Sequence, residues 1–213
     1  MTVLLLTILG ALILLDKYAI GEFGISQPII TGTILGAIFG DIKTGIFLGS
    51  AFQLIFLAGL PIGRDIPPDG QGGGLVGCGA YFILLNSNPQ KTALLISLIL
   101  GLCASLYGTI LEIWVRQQNE KLFHRFMRNE KNLIGCHLLG IVNSFLRGII
   151  FLLPLFLLAS SIHTKFDLSF RIEILTALIV GMGMANGLFL FIAKKNLFYY
   201  LLGLVCGLVL LVL

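Results

Sequence analysis

Long apolar stretches, broken by short polar or glycine-rich segments, run through almost the whole chain. The stretch Met1–Leu15 predicts a first helix, and Thr92–Val115 is long enough for a full membrane crossing, which needs about 20 apolar residues. The segments Leu133–Ile162, Ile174–Ala193 and Leu197–Leu213 predict three further helices towards the C-terminal end. This pattern is typical of an all-α polytopic membrane protein.

Two apolar segments near the N-terminus are too short for a full crossing. Ile25–Gly40 has about 16 residues, Thr44–Leu60 is similar, and glycine recurs in both at three- and four-residue steps. Such spacing lines one helix face with small residues, which allows close helix packing. We expect the glycine faces to pack against a partner subunit; they consist of Gly32, Gly36, Gly40, Gly45 and Gly49. Short, interrupted apolar segments indicate a transporter's binding site near the bilayer midplane, so we predict two re-entrant or half-length helices.

A proline- and glycine-rich segment, Pro61–Gly74, follows these short helices. Proline lacks an amide donor and glycine disfavours regular helix, so the segment predicts a structured loop. In a bilayer, irregular backbone is tolerated only where it is buried in protein or lines a cavity. We therefore expect this loop to lie near the substrate path. It leads into an apolar piece, Leu75–Leu85, and a turn at Asn86–Gln90.

The hydrophilic stretch Arg116–Asn132 is rich in lysine and arginine, which places it in the cytoplasm and the segment Asn86–Lys91 outside. Its apolar residues recur at three- and four-residue steps, which predicts an amphipathic helix lying at the membrane surface. Membrane lipid headgroups explain the basic run more simply than nucleic acid does.

The composition supports a membrane protein, because 57% of the 213 residues are hydrophobic and only 11% are charged. A soluble domain carries roughly 25% charged residues. The first apolar stretch lacks a basic leader and a small-residue cleavage site, which predicts a retained helix. We expect a single integral membrane domain over residues 1–213. Its parts are a core with broken helices over about 1–115, a cytoplasmic amphipathic connection over about 116–132 and C-terminal helices over about 133–213.

The four cysteines have no metal-ligand spacing, and the three histidines form no triad or metal pattern. We therefore predict neither a metal nor a cofactor site, and no catalytic residue, in this chain.

Several polar residues of the N-terminal half are candidates for binding. Gln53 lies in an apolar helical run, where an unpaired amide would be costly, and Asp69 follows in the proline-rich loop. Sugar hydroxyls can donate to both groups and can accept from the amide, so a cavity between them suits a polyhydroxylated ligand. An interhelical hydrogen bond is the alternative for Gln53, and a surface loop is the alternative for Arg64 and Asp65. We expect Arg147 to pair with a buried carboxylate.

An enzyme is one alternative function. The segment Gly40-Asp41-Ile42-Lys43 is similar to the signature of prepilin-type intramembrane aspartyl proteases, although Ile38 stands where that signature has its first glycine. Asp16 would have to supply the second carboxylate. A solvated turn between two half-length helices is the other interpretation of Asp41 and Lys43.

A family resemblance is carried by residues of the first third of the chain, namely Asp16, Gln27-Pro28, Gly36, Gly40-Asp41-Ile42-Lys43-Thr44-Gly45, Gly49, Gln53-Leu54, Gly59, Pro61-Ile62-Gly63 and Pro67-Pro68-Asp69. On these residues the chain resembles the membrane-spanning IIC component of the mannose–fructose–sorbose family of sugar phosphotransferase systems. A weaker similarity runs from Arg116 to Arg147 and from Gly181 to Tyr200.

The resemblance implies a subunit that moves a hexose or amino sugar across the bacterial cytoplasmic (inner) membrane while partner subunits phosphorylate it. It implies a IID membrane subunit, cytoplasmic IIA and IIB phosphocarriers, no phosphohistidine in this chain, and a homo-oligomer of the IIC–IID complex. The resemblance implies that Gln53 and Asp69 bind the sugar, and we add Gln27, Arg64 and Asp65 as further candidates for substrate binding. The added charges of Arg64 and Asp65 and a shorter C-terminal end than the family usually has favour an alternative, a sugar-binding or regulatory membrane subunit that does not transport.

Overall fold

The computed structural model describes residues 2–59, 67–128, 133–190, 198 and 201–202. All regular structure in this part of the chain is helical, which confirms the predicted all-α class. The helices are α1 (Thr2–Leu15), a π-helical turn (Asp16–Ile20), α2 (Pro28–Phe39), α3 (Ile42–Ile55), α4 (Gly70–Leu84), α5 (Gln90–Arg128), α6 (Leu133–Ser161) and α7 (Ile172–Leu190). Two stretches within α5 and α6, Gln90–Met127 and Leu133–Ser161, are long and apolar enough to cross a membrane.

Helix α4 lies at the centre of the fold and contacts α1, α2, α3, α5 and α6. Every residue from Gly72 to Leu84 is buried. Its glycines allow neighbouring helices to approach closely, since a Cβ atom added at Gly73 would lie 2.6 Å from the carbonyl oxygen of Gly101. The core of the protein is therefore built around a helix that has almost no exposed surface.

The prediction of an irregular loop through Gly74 is wrong at its end, because α4 already begins at Gly70. Asp69 caps this helix: its side chain accepts a hydrogen bond from the backbone amide of Gly72 at 3.0 Å. Each glycine costs about 1 kcal/mol relative to alanine in a helix interior. Close packing on all sides offsets that cost, so tertiary contacts decide the conformation here.

Helices α2 and α3 form a tight hairpin, which confirms the prediction of two short helices. Gly40 makes the turn with a left-handed backbone (φ 79°), and the side chain of Asp41 accepts from the amide of Thr44 at 3.1 Å. A Cβ atom added at Gly36 would lie 3.0 Å from the Cα of Gly45. Gly32, Gly36, Gly45 and Gly49 therefore pack on each other within the chain, and association with a partner subunit stays a prediction.

The predicted crossing and the predicted surface helix are one continuous helix, α5, of 39 residues. At 1.5 Å per residue α5 is about 58 Å long, nearly twice the roughly 30 Å hydrocarbon core of a bilayer. No proline or glycine interrupts the chain between Val115 and Arg128, so nothing in the sequence separates a surface helix from the crossing. The prediction of a separate amphipathic helix on the membrane surface is therefore wrong.

Helix α7 packs against the end of α3. The amide of Asn186 donates to the backbone oxygens of Leu54 and Ile55 at 3.0 Å and 2.7 Å, and so satisfies carbonyl groups that a helix end leaves open. The last predicted helix, Leu197–Leu213, lies outside the described residues except for Phe198, Leu201 and Leu202.

Candidate functional site

Several helix ends meet around one cavity of about 610 Å³. The end of α1, the start of α2, the end of α3 and the start of α4 contribute to it, and α5 and α6 complete its wall. This volume falls within the roughly 300–1,000 Å³ typical of small-molecule sites. The polar and charged side chains in the wall are Lys17, Glu22, Gln27, Gln53, Gln71, Glu112, Arg116, Asn119 and Ser144.

Two predicted binding residues, Gln27 and Gln53, lie together in this wall. The side-chain amide of Gln53 donates to the Oε1 atom of Gln27 at 3.0 Å. This is the interhelical hydrogen bond that the sequence offered as an alternative. The Oε1 atom of Gln53 is itself buried and has no hydrogen-bond partner within the described part of the chain. The pair therefore contains a buried acceptor, beside the cavity that Gln53 lines, which the described protein leaves unused.

Asp69 is fully buried, and its carboxylate contacts two cations and a backbone amide. Its carboxylate lies 2.6 Å from Nη2 of Arg147 and 3.0 Å from Nζ of Lys17, and it accepts the capping bond from Gly72. The expected pairing of Arg147 with a buried carboxylate is confirmed. The expected open space between Asp69 and Gln53 is not found, because the two cations and the capping amide occupy both carboxylate oxygens. Lys17, which contacts Asp69, lines the cavity, and direct sugar binding by Asp69 stays a prediction.

A chain of charges that the sequence interpretation missed continues from Lys17. Its Nζ atom lies 3.4 Å from Oε2 of Glu112, whose other oxygen lies 2.5 Å from Nη2 of Arg116. The side chain of Glu112 is only 8% exposed. The available signal was the presence of ionisable residues in apolar stretches, since each such residue needs a partner or a function at membrane depth.

The loop before α2 is held by Asp16 in the π-helical turn. Its carboxylate accepts from the backbone amides of Phe23 at 2.8 Å and Ser26 at 3.0 Å. The Ser26 hydroxyl lies 3.0 Å from Oε1 of Gln71, which lines the cavity. π-Helical turns occur frequently at functional sites, and this one fixes the backbone next to Gln27.

The geometry does not support the protease alternative. Asp16 lies close to the start of α2 and Asp41 follows its end. A helix of 12 residues separates the two ends by about 18 Å. The two carboxylates therefore cannot act on the same peptide bond. The remaining predicted binding residues, Arg64 and Asp65, lie outside the described residues.

The fold and cavity define a helical membrane protein with an internal polar site, and comparison with known proteins names its family. A sequence model described as "PTS system sorbose-specific iic component" matches residues 1–212. The chain belongs to this family, which confirms the predicted resemblance.

Similar curated proteins carry related names. The chain is 26% identical over 169 residues to the mannose-specific EIIC component of Escherichia coli (strain K12), which covers 78% of this chain and 61% of that protein. It is 32% identical over 95 residues to the sorbose-specific EIIC component of Klebsiella pneumoniae, covering 45% of this chain and 34% of that protein. A fructose permease IIC component of Bacillus subtilis (strain 168) is 26% identical over 135 residues, covering 62% of this chain and 48% of that protein. The matched part of the chain thus spans about three fifths or less of the length of these relatives.

A solved structure entitled "Structure of membrane protein" has the same fold. The TM-score is 0.70 at 20% identity, and the match covers 97% of this chain and 85% of the other. The arrangement of helices around α4 is therefore shared with a known membrane protein.

Proposed function

We propose that this chain is the sugar-translocating membrane subunit of a phosphoenolpyruvate-dependent phosphotransferase system. It moves a hexose or amino sugar across the bacterial cytoplasmic membrane while partner subunits phosphorylate the sugar. Family membership supports the class of function. The observation that carries the proposal is the Gln27–Gln53 amide pair, which lines a cavity of small-molecule size and leaves a buried acceptor beside it.

The wall of the cavity suits a neutral, polyhydroxylated ligand. Amide groups both donate and accept hydrogen bonds, as sugar hydroxyls do. The charged residues Lys17, Glu112 and Arg116 contact one another across the wall, so positive and negative groups alternate there. The side chain of Phe56 supplies an apolar surface against which the C–H groups of a sugar ring can pack.

We infer the partners and the orientation from the same family. A IID membrane subunit would complete the sugar pathway, and IIA and IIB subunits would bring the phosphoryl group, since we assign no phosphohistidine to this chain. The basic residues Arg116, Lys121 and Arg125 support a cytoplasmic location for the far end of α5. On this proposal residues 1–213 form one multi-pass domain that contacts membrane lipid and assembles as a homo-oligomer of the IIC–IID complex.

Uptake and phosphorylation assays with a panel of hexoses and amino sugars test this function in cells that make the complete transport system. Replacement Gln53→Leu should weaken the binding of the transported sugar about tenfold, the size expected for losing a buried hydrogen bond. The melting temperature should be unchanged or higher, because the change deletes a buried polar group. The matched control is Gln117→Leu, an exposed amide on α5.

Three outcomes separate the possibilities. Uptake by the parent with weakened uptake by Gln53→Leu supports the proposal. Sugar binding without any uptake would instead support the regulatory alternative. Parental affinity in Gln53→Leu would move the sugar site away from the Gln27–Gln53 pair.

A further inference from the structure

Asn119, on α5, holds a polar atom that the described protein does not use. Its Oδ1 atom is buried and has no hydrogen-bond partner among the described residues. Asn119 lines the main cavity and also an adjoining cleft of about 310 Å³ between α5 and α6. A buried acceptor without a donor lowers stability. A hydroxyl group of a bound ligand would supply the hydrogen-bond donor that Oδ1 of Asn119 lacks.

Asn119 lies far from the Gln27–Gln53 pair. The Gln27–Gln53 pair lies near the start of α4. Phe56, one turn after Gln53, packs against Gly70, the first residue of α4. The amide of Asp69, just before α4, donates to the carbonyl oxygen of Ser105 on α5 at 3.0 Å. The same amide also donates to the hydroxyl of Thr109 at 3.1 Å, so Asn119 lies about 15–21 Å farther along α5 than this contact. Asn119 and the Gln27–Gln53 pair therefore lie at different levels of the same cavity.

The surroundings of Asn119 leave room for a ligand. A Cβ atom added at Gly140 of α6 would have Oδ1 of Asn119 as its only neighbour within 4 Å, at 3.9 Å. One turn along α6, Ser144 also lines the main cavity. Its hydroxyl donates to the carbonyl oxygen of Gly140 at 3.0 Å, so its oxygen can accept a hydrogen bond. Two residues with an available acceptor oxygen thus line the same cavity.

We propose that Asn119 is a second sugar-binding position, which receives a hydroxyl group of the sugar after the sugar leaves the Gln27–Gln53 pair. This inference rests on the proposed transport function and assigns a role at the cytoplasmic end of the same cavity. The two positions act one after the other. Loss of the first should raise the sugar concentration needed for half-maximal uptake, and loss of the second should lower the maximal rate.

Uptake kinetics in cells making the complete transport system test the inference, with the sugar of the panel that the parent moves fastest. Asn119→Leu should lower the maximal rate about five- to tenfold, the factor expected for one lost hydrogen bond, and keep half-saturation within about twofold. Asn119→Asp keeps the shape and an acceptor oxygen, so it should restore most of the rate. Gln117→Leu, two residues away and exposed, is the matched control.

The outcomes separate this inference from the proposed function. If the parent neither binds nor moves any sugar of the panel, both fail. If the parent transports and Asn119→Leu keeps the parental rate, only the second position is overturned. A raised half-saturation with an unchanged maximal rate would place Asn119 in the first site and also overturn it. A fall in both rate and melting temperature without recovery in Asn119→Asp would make Asn119 a structural residue, which overturns it as well.

Discussion

The two helix hairpins of the molecule, α2–α3 and α5–α6, are packed in opposite ways. In α2–α3 the backbones touch through glycines, and a Cβ atom at Gly49 would lie 2.5 Å from the carbonyl oxygen of Pro28. In α5–α6 side chains keep the helices apart and leave a cleft beside Asn119. The comparison shows that glycine closes the first hairpin into a solid wall, while the second hairpin retains the space that a ligand needs.

The largest effect is expected where α4 and α6 are joined by the buried pair of Asp69 and Arg147. Asp69→Asn removes the carboxylate that both Arg147 and Lys17 contact, and breaking a buried ion pair costs about 3–5 kcal/mol. Arg147→Met should cost less, because Asp69 keeps Lys17 and its capping bond to Gly72. The midpoint of thermal unfolding of the purified chain in detergent should fall for both, and further for Asp69→Asn.

The reverse order, or an unchanged midpoint in both variants, would contradict this account of the ion pair. The sequence had indicated Asp69 only as a candidate sugar-binding residue. Because Asp69 is buried in an ion pair, the Asp69→Asn variant tests the stability of the fold.

A smaller loss of thermal stability is expected from a substitution in the α2–α3 hairpin. Gly45→Ala would place a Cβ atom 2.7 Å from the Cα of Gly36, so the backbones must move apart. Overpacking of this kind costs typically about 1–3 kcal/mol. The same thermal measurement should show a lower midpoint. A midpoint equal to that of the parent would mean that α2 and α3 are not in backbone contact.

The smallest effect on thermal stability is expected in the α5–α6 hairpin, where the substitution should stabilise the protein. At Gly140 a Cβ atom has only one neighbour within 4 Å, at 3.9 Å, so Gly140→Ala fits without movement. Alanine in place of a helical glycine stabilises by up to about 1 kcal/mol. Gly181→Ala on α7 is the matched control, since nothing lies within 4 Å of its added Cβ. If Gly140→Ala destabilises as Gly45→Ala does, the proposed difference between the hairpins is wrong.

Much of the fold follows from sequence patterns that act locally. The recurrence of Gly32, Gly36, Gly45 and Gly49 correctly predicted two short, closely packed helices. The start of α4 at Gly70 could not be predicted, because local propensity opposes a helix there and only burial on all sides favours it. The continuity of α5 was missed since its change from apolar to charged residues marks a change of surroundings and not a change of conformation.

The sequence indicated residues of the site only where one polar or charged residue lies within an apolar segment. Gln53 in an apolar run and Arg147 in a predicted crossing were recognised in this way. The contact between Lys17 and Glu112 joins residues 95 positions apart, and no spacing in the sequence indicates it. The loop held by Asp16 likewise depends on hydrogen bonds to backbone amides, which carry no signature in side-chain identity.

Helix α5 has a mechanical consequence that follows from its length. Thr109 of α5 contacts the site, because the Thr109 hydroxyl accepts a hydrogen bond from the backbone amide of Asp69 at 3.1 Å. Arg128 lies about 28 Å beyond this point, so a tilt of about 10° would move the far end by about 5 Å. The same tilt about Thr109 would move Glu112, less than one helical turn away, by less than about 1 Å. That is enough to stretch its 3.4 Å contact with Lys17 beyond hydrogen-bonding range. A tilt of α5 about Thr109 would therefore convert a large displacement at Arg128 into a bond-sized displacement at the cavity.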